Sequence, residues 1–374
     1  MTEARPRKRA VAVAALAAAG CCLLALGASA AAAAAPRAFF GVSSQAPLSD
    51  ADFERMATAK VGTLRFELSW AGTDPTAAPG DYDWSRTDAI VGRAAAGGIQ
   101  ALPFVFSTPD WVAELDRFRC RRSCVSFAPR GRAALAAWED FLGAAAARYG
   151  PGGAFWTLNP LLPQQPIRAW QLWNEQNSPT YFKPRPNVGA YAQLLASGRE
   201  AITEVDGGAE IVLGGMFGTP LGGLKPAIGA SKFLARLYDR PGAKRSFDGV
   251  ASHPYAAQFS KARAQVELLR EQIEEAGDGQ TELWITELGW ASAGLTDPLN
   301  RGPQGQAERL KEAFRYFFKK RGMLNIRTVT WYSWRDNPDP AAGLCTWCPY
   351  SGLVTADLLD KPSLKVFTRF TDGS

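Results

Sequence analysis

Eight short apolar runs recur along the chain, and each is followed by an amphipathic segment or a long loop. The runs predict β-strands at residues 39–43, 63–68, 101–106, 167–174, 210–216, 249–254, 283–287 and 328–334. The amphipathic segments predict helices at residues 84–96, 131–149, 188–205, 231–238, 261–276 and 304–321. Strand and helix units repeated in this way are typical of a closed parallel (β/α)8 barrel, the TIM-barrel class of α/β fold.

An open doubly wound sheet fits the same strand pattern, because its strands are also buried on both faces. Residues 101–106, Ala-Leu-Pro-Phe-Val-Phe, are continuously apolar, as expected for such a strand. An open sheet normally carries a glycine-rich phosphate turn after an early strand, and the sequence contains none. We therefore predict one barrel domain over residues 36–374.

The N-terminus has the composition of an export signal. Basic residues 5–9 precede an almost continuously apolar run at residues 10–35, and residues 28–30, Ala-Ser-Ala, suit a signal peptidase. We predict a signal peptide at residues 1–30 and a secreted or extracytoplasmic protein. The run is also long enough to span a bilayer, so an uncleaved anchor extending to about residue 35 is the alternative.

Charge and composition exclude some classes of function. Removing residues 1–30 from the 42 basic and 36 acidic residues leaves 38 and 35, a net charge of +3. This excess is too small to indicate nucleic acid as a partner. A single histidine argues against a histidine-built metal site, whereas 12 tryptophans suggest surfaces that stack on flat ligands. We predict no cofactor, no metal and a monomer.

The four cysteines outside the predicted signal form two close pairs, Cys120 with Cys124 and Cys345 with Cys348. In an exported protein each pair predicts a short local disulfide that staples a loop. A four-thiolate zinc site that joins the two pairs is the alternative.

Polar and aromatic side chains cluster at the C-terminal ends of the predicted strands. In a barrel these ends meet on one face, which carries the chemistry. The candidate site residues are Arg65, Trp111, Asn174, Glu175, His253, Tyr255, Glu287, Trp290 and Trp334. Glu67 also ends a strand, and we predict that it binds a sugar hydroxyl or pairs with neighbours of Arg65 rather than acting in catalysis.

Two of these residues, Glu175 in Trp173-Asn174-Glu175 and Glu287 in Ile285-Thr286-Glu287, end the fourth and seventh predicted strands. This pattern resembles the retaining glycoside hydrolases of clan A, and within the clan families 39 and 5. The resemblance implies that Glu175 is the general acid/base and Glu287 the nucleophile. It also implies hydrolysis of O-glycosidic bonds, mostly β, in an oligosaccharide or polysaccharide.

The other candidates receive supporting roles. Arg65 and Tyr255 are expected to hold Glu287 through hydrogen bonds, and Asn174 to bind a sugar 2-hydroxyl. His253 is either ligand-facing or buried and satisfied by a neighbouring carbonyl. The tryptophans Trp111, Trp290 and Trp334 are proposed sugar platforms, with a place in the core as the alternative.

Three other functional interpretations remain open. A barrel that retains the aromatic platforms can bind glycans without cleaving them, and an acceptor sugar can replace water to give a transglycosylase. Either glutamate can also simply pair with a neighbouring arginine across the barrel. Arginines 117, 119, 121, 122 and 130 crowd the loop with the first cysteine pair, which suggests either selection of an acidic polymer or a solvated basic loop.

Overall fold

The computed structural model describes residues 1, 36–45, 47–76, 80–115, 120, 123–218, 227–294, 296–338 and 345–373. The predicted signal segment and the arginines at 117, 119, 121 and 122 lie outside these residues. The described residues from 36 onward form one compact unit. Within the described ranges, no helix combines the length and the apolar character that crossing a membrane requires.

Eight parallel strands close into a barrel, which confirms the predicted TIM-barrel fold. The strands are β1 (Phe40–Ser43), β2 (Thr63–Ser69), β3 (Gln100–Phe106), β4 (Ala169–Leu172), β5 (Glu210–Leu213), β6 (Gly249–His253), β7 (Glu282–Leu288) and β8 (Ile326–Tyr332). Each strand pairs with the next in the chain, and β8 pairs with β1. Pairing of Val212 with Gly249 joins β5 to β6, and a short extension, Met216–Phe217, continues the fifth strand beside β6.

The helices surround this barrel. They are α1 (Asp50–Thr58), α2 (Trp70–Thr73), α3 (Ser85–Ala96), α4 (Asp110–Leu115), α5 (Gly131–Tyr149), α6 (Ala154–Leu158), α7 (Val188–Val205), α8 (Ala230–Tyr238), α9 (Phe259–Glu275), α10 (Gly302–Lys320) and α11 (Pro362–Thr371). All six predicted helices are present, with ends shifted by at most two residues. Helix α1 was not predicted, although Ser49 and Asp52 form a capping box at its start.

The barrel interior changes from apolar to polar along the strands. Inward side chains of Leu102, Val212, Ala251 and Trp284 form an apolar cluster that is separate from the larger core. Arg65 is the register partner of Leu102, and Gln171 that of Val212, so these polar side chains also point inward. Buried polar groups are stable only when they are hydrogen-bonded, and the partners of these two residues build the site described below.

Both cysteine pairs form local disulfides, Cys120 with Cys124 and Cys345 with Cys348, as predicted. The alternative of a zinc site that joins the pairs is wrong, because each sulfur is bonded within its own pair. The backbone of Phe127, just after the first disulfide, pairs with Lys183 in the loop that follows β4. Disulfides of this kind fit an oxidising, extracytoplasmic compartment.

Candidate active site

The side chains of Glu175 and Glu287 converge at the carboxyl end of the barrel. Glu175 lies three residues beyond β4, and Glu287 is the penultimate residue of β7. One oxygen of each carboxylate and a ring nitrogen of His253 all lie within 4.8 Å of one another. The side chains of Glu175 and Glu287 are only 11% and 12% exposed. The two carboxylates therefore share one nearly closed hollow.

Arg65 crosses the floor of this hollow and orders three side chains. Its Nη1 donates to Glu287 Oε1 at 2.7 Å, and its Nη2 donates to Asn174 Oδ1 at 2.8 Å. Its Nε donates to Gln171 Oε1 at 2.6 Å, and its guanidinium lies 4.0 Å from the centre of the Phe104 ring. Because the planar guanidinium has fixed donor directions, these bonds set the orientation of Glu287 and Asn174 together.

The two carboxylates have different partners. Glu287 takes a second hydrogen bond, since the Tyr255 hydroxyl donates to its Oε2 at 2.7 Å. Glu175 instead faces the fully buried His253, whose Nδ1 lies 3.0 Å from Glu175 Oε1. The other ring nitrogen of His253 is 3.0 Å from the Thr286 hydroxyl. Of the two alternatives for His253, the structure shows the buried one, with side chains rather than a carbonyl as partners.

These surroundings separate the acidities of the two glutamates. Burial first, and then the charge of Glu287, raise the pKa of Glu175 well above its usual range, and only Arg65 opposes this shift. Burial also raises the pKa of Glu287, but Arg65 and the Tyr255 hydroxyl stabilise its anion. Burial and Arg65 lower the pKa of His253 well below its usual range, so the imidazole is neutral. Glu287 is therefore the carboxylate that ionises first.

The backbone around Glu175 takes an uncommon conformation that the fifth strand accommodates. Trp173 and Glu175 have positive φ angles of 77° and 40°, which non-glycine residues rarely adopt. Gly215 accepts the hydrogen bond of the Glu175 backbone N–H at 3.0 Å. A Cβ atom at Gly215 would stand 1.9 Å from His253 Nε2. Only glycine therefore allows the fifth strand to pass this close to His253.

Two of the three predicted tryptophan platforms are wrong. Trp290 is fully buried and donates its Nε1 hydrogen to the carbonyl of Ala256 at 2.8 Å. Trp334 is also fully buried and donates to Asp52 Oδ1, in α1, at 3.0 Å. Both indoles are therefore core side chains that leave no ring surface exposed for a sugar. Trp111 is partly buried in α4, with its Nε1 bonded to the Asp74 carbonyl, and stays a predicted platform.

The hollow contains aromatic residues that the sequence interpretation missed. Tyr332, the last residue of β8, is only partly buried, and its pKa is raised by burial and by the charges of Glu287 and Glu175. Trp347, inside the second disulfide loop, lies 4.8 Å from the ring of Tyr255 and 5.9 Å from that of Tyr332. Side chains alternate between the two faces of a strand, so Tyr332 points to the same side as Thr330 and to the side opposite Trp331. This alternation could have predicted that Tyr332 faces the hollow.

Glu175, His253 and Glu287 are also, among the described residues, the one cluster of potential metal ligands. Their existing partners favour a different role. Arg65 already supplies a cation to Glu287, and both ring nitrogens of His253 have hydrogen-bond partners. The arrangement suits a pair of carboxyl groups that exchange protons better than it suits a metal ion.

Fold and site together define a TIM barrel with a carboxyl pair at the C-terminal ends of its fourth and seventh strands. No protein-family model matches the sequence, and no curated protein matches it. Among solved structures, the chain is similar to a family 39 glycoside hydrolase from the gut symbiont Bacteroides cellulosilyticus. The TM-score is 0.62 and the identity 19%, over 90% of this chain and 63% of that one.

Two further solved structures show the same likeness. A monomeric β-xylosidase from Caulobacter crescentus has a TM-score of 0.62 and 18% identity, over 88% of this chain and 67% of that one. An intracellular xylanase from Thermoanaerobacterium saccharolyticum has a TM-score of 0.61 and 18% identity, over 88% of this chain and 94% of that one. At these identities the likeness establishes the fold, which this chain shares with glycoside hydrolases.

Proposed function

We propose that the protein is a retaining glycoside hydrolase. The observation that carries this proposal is the approach of the Glu175 and Glu287 carboxylate oxygens to within 4.8 Å, with an arginine on one carboxylate only. Retaining enzymes need carboxyl groups about 5 Å apart, whereas inverting enzymes need a wider gap that admits a water molecule. The likeness to known glycoside hydrolases supports the same class of reaction.

In the first half-reaction Glu175, protonated because of its raised pKa, donates its proton to the glycosidic oxygen. Glu287, ionised beside Arg65, attacks the anomeric carbon from the opposite face of the sugar. The bond to the leaving group breaks, and a covalent glycosyl ester forms on Glu287.

In the second half-reaction Glu175 acts as a base. Formation of the ester removes the negative charge of Glu287, which is one of the causes that raise the pKa of Glu175. The acidity of Glu175 therefore increases when its proton has been given away, and its carboxylate deprotonates an incoming water. The water attacks the anomeric carbon and releases the sugar with its original configuration.

Other residues of the hollow orient the sugar in this proposal. Asn174 Oδ1 is held by Arg65, and its side-chain NH2 group has no acceptor within the described part of the chain, which leaves it for a sugar hydroxyl. Tyr332 offers a partly exposed ring near Glu287 and replaces the two buried tryptophans as a candidate platform. Trp347 is itself buried and packs against the rings of Tyr332 and Tyr255. The substrate is an oligosaccharide or polysaccharide, with β linkages expected from the resemblance to clan A.

We further propose that the protein is exported. The predicted signal at residues 1–30 and the two disulfides support this location. Mass spectrometry of the mature N-terminus from the producing cell tests this proposal. A chain that begins near residue 31 supports cleavage, and an intact apolar segment in the membrane fraction supports the anchor.

Digestion of a broad panel of glycans, read out by mass spectrometry and by NMR of the first anomer released, tests the reaction. We expect a product with retained configuration and no turnover by Glu287→Gln. Glu282→Gln, at the opposite end of the same strand, is the matched control and should retain activity. Glycan binding without turnover by the wild type would identify a non-catalytic barrel, and an inverted product would exclude the double displacement.

A further inference from the structure

A surface cleft of about 780 Å³ lies beside the loop that carries Glu175, and its lining is basic. Arg185, Arg236 and Arg240 line it, together with one acidic residue, Asp239. All four side chains are exposed. Within the described part of the chain none of the three guanidinium groups has a hydrogen-bond or ion-pair partner. Three arginines outnumber the one aspartate, so the cleft has a positive charge excess.

Only one of these three arginines has a position that stabilises the fold. Arg236 lies in the last turn of α8, where a cation is favourable to the helix dipole. Arg240 instead packs against Gly189 in the first turn of α7, since a Cβ there would lie 3.5 Å from its guanidinium carbon. The Asn187 side chain caps this end of α7, and a cation there gains nothing from the helix dipole. Arg185 is exposed on the loop before α7, and its side chain forms no hydrogen bond or ion pair with the described residues.

The cleft borders the active site on the side of Glu175. Ile228, in its lining, has a backbone carbonyl that accepts a hydrogen bond at 2.8 Å from the side chain of Asn177, two residues after Glu175. Arg185, in the same lining, lies ten residues after Glu175 on the loop between β4 and α7. The loop that carries Glu175 therefore also forms one wall of the cleft.

The hollow itself disfavours an acidic sugar. It contains the carboxylates of Glu67 and Glu287, the protonated carboxyl group of Glu175 and the guanidinium of Arg65. Glu67 faces inward two residues after Arg65 on β2 and accepts a hydrogen bond from the Ser107 hydroxyl. An anionic sugar would be repelled from this position. Because Glu175 protonates the leaving oxygen, the side of Glu175 is the leaving-group side. Anionic groups of a substrate are thus compatible with the arginine-lined cleft and incompatible with the hollow.

We propose that the cleft of Arg185, Arg236 and Arg240 binds the carboxylate or sulfate groups of an acidic polysaccharide, whose neutral residue occupies the hollow. Guanidinium groups bind such oxyanions through paired, charge-assisted hydrogen bonds. The leaving-group assignment rests on the proposed hydrolase function, but binding in the cleft does not, because none of the three arginines contacts Glu175 or Glu287.

Binding is measured with the Glu287→Gln protein, so that no substrate is consumed. The probes in affinity electrophoresis are polygalacturonate for carboxylate, dextran sulfate for sulfate, and uncharged dextran. We expect at least one of the two anionic polymers to bind and uncharged dextran not to bind. Added salt should weaken the binding of the anionic polymer. Whichever anionic polymer binds more tightly identifies the group that the cleft prefers.

The triple variant Arg185→Ala/Arg236→Ala/Arg240→Ala should lower the affinity at least about tenfold, because even one lost hydrogen bond between charged groups is worth that factor. Arg86→Ala, an exposed arginine of α3 outside the cleft, is the matched control and should bind like the parent. Equal binding of dextran, an unaffected triple variant or an equal loss in the control overturns the proposal.

The experiments distinguish failure of the cleft proposal from failure of the proposed hydrolase function. Loss of anionic binding in the triple variant, with no turnover of any glycan by the wild type, retains the cleft and rejects the hydrolase. Turnover of neutral glycans without binding of either anionic polymer retains the hydrolase and rejects the cleft.

Discussion

Arg65 Nη1 lies 2.7 Å from Glu287 Oε1 in an ion pair that is almost completely shielded from solvent, with the arginine side chain only 1% exposed. In such surroundings an unpaired charge is very unfavourable, so each partner keeps the other ionised. Among the described residues, no arginine or lysine forms an ion pair with Glu175. This one pairing assigns different protonation states to two chemically identical side chains 112 residues apart.

Replacing Arg65 by Gln should remove the cation that stabilises the Glu287 anion. We expect a higher pKa of Glu287, an acid limb of the pH–rate profile shifted to higher pH, and a loss of about 3–5 kcal/mol in the free energy of unfolding. Kinetics across pH and denaturant unfolding measure both effects. Arg65→Lys keeps the charge and should retain the position of the acid limb better; an identical shift in both variants contradicts the role of the charge.

Replacing Glu175 by Gln should lower kcat by about 10²–10⁴-fold, the usual contribution of a general acid. The same change should stabilise the protein at alkaline pH. The raised pKa of Glu175 means that the folded state holds a proton that the unfolded state has lost, so wild-type stability falls as the pH rises through this window. Thermal unfolding at several pH values should show a flatter profile for the variant, and a parallel profile contradicts the burial-driven shift.

Truncation of Tyr332 should mainly impair substrate binding, whereas truncation of Trp334 should mainly lower stability. Tyr332→Ala removes a partly exposed ring beside Glu287, so we expect a higher KM with modest loss of stability. Trp334→Ala empties a fully buried position and leaves Asp52 without its indole donor, with an expected loss of about 3–5 kcal/mol. Unfolding and steady-state kinetics of both variants are the measurement. A folded, stable Trp334→Ala protein with impaired sugar binding would restore Trp334 as a platform.

A methyl group at Gly215 should displace His253. The Cβ of Gly215→Ala would stand 1.9 Å from His253 Nε2, so the imidazole must move away from Thr286 and Glu175. We expect a large loss of kcat and a cost of about 1–3 kcal/mol in stability, as for other overpacked sites. Gly322→Ala, where no atom lies within 4 Å of the added carbon, is the control. Full activity of Gly215→Ala would show that His253 does not position Glu175.

The strands and helices were predictable because their signals are local. The run at residues 101–106 is apolar on both faces, and helix α7 repeats apolar residues at helical spacing, so each element carries its own pattern. Helix α1 was missed although its capping box is visible in the sequence. The prediction that Trp334 is a sugar platform was wrong because it relied on residue type alone. Whether a tryptophan can bind a sugar depends on whether its ring is exposed in the site.

The sequence alone determined the barrel, its order of strands and the presence of Glu175 and Glu287 at the ends of two strands, since periodicity and strand termini are properties of short segments. Tertiary structure decided which carboxylate pairs with Arg65, that His253 is buried between Glu175 and Thr286, and that Tyr332 rather than Trp334 borders the hollow. Those contacts join residues from different strands, and their energies depend on distances and burial that exist only after the barrel has closed.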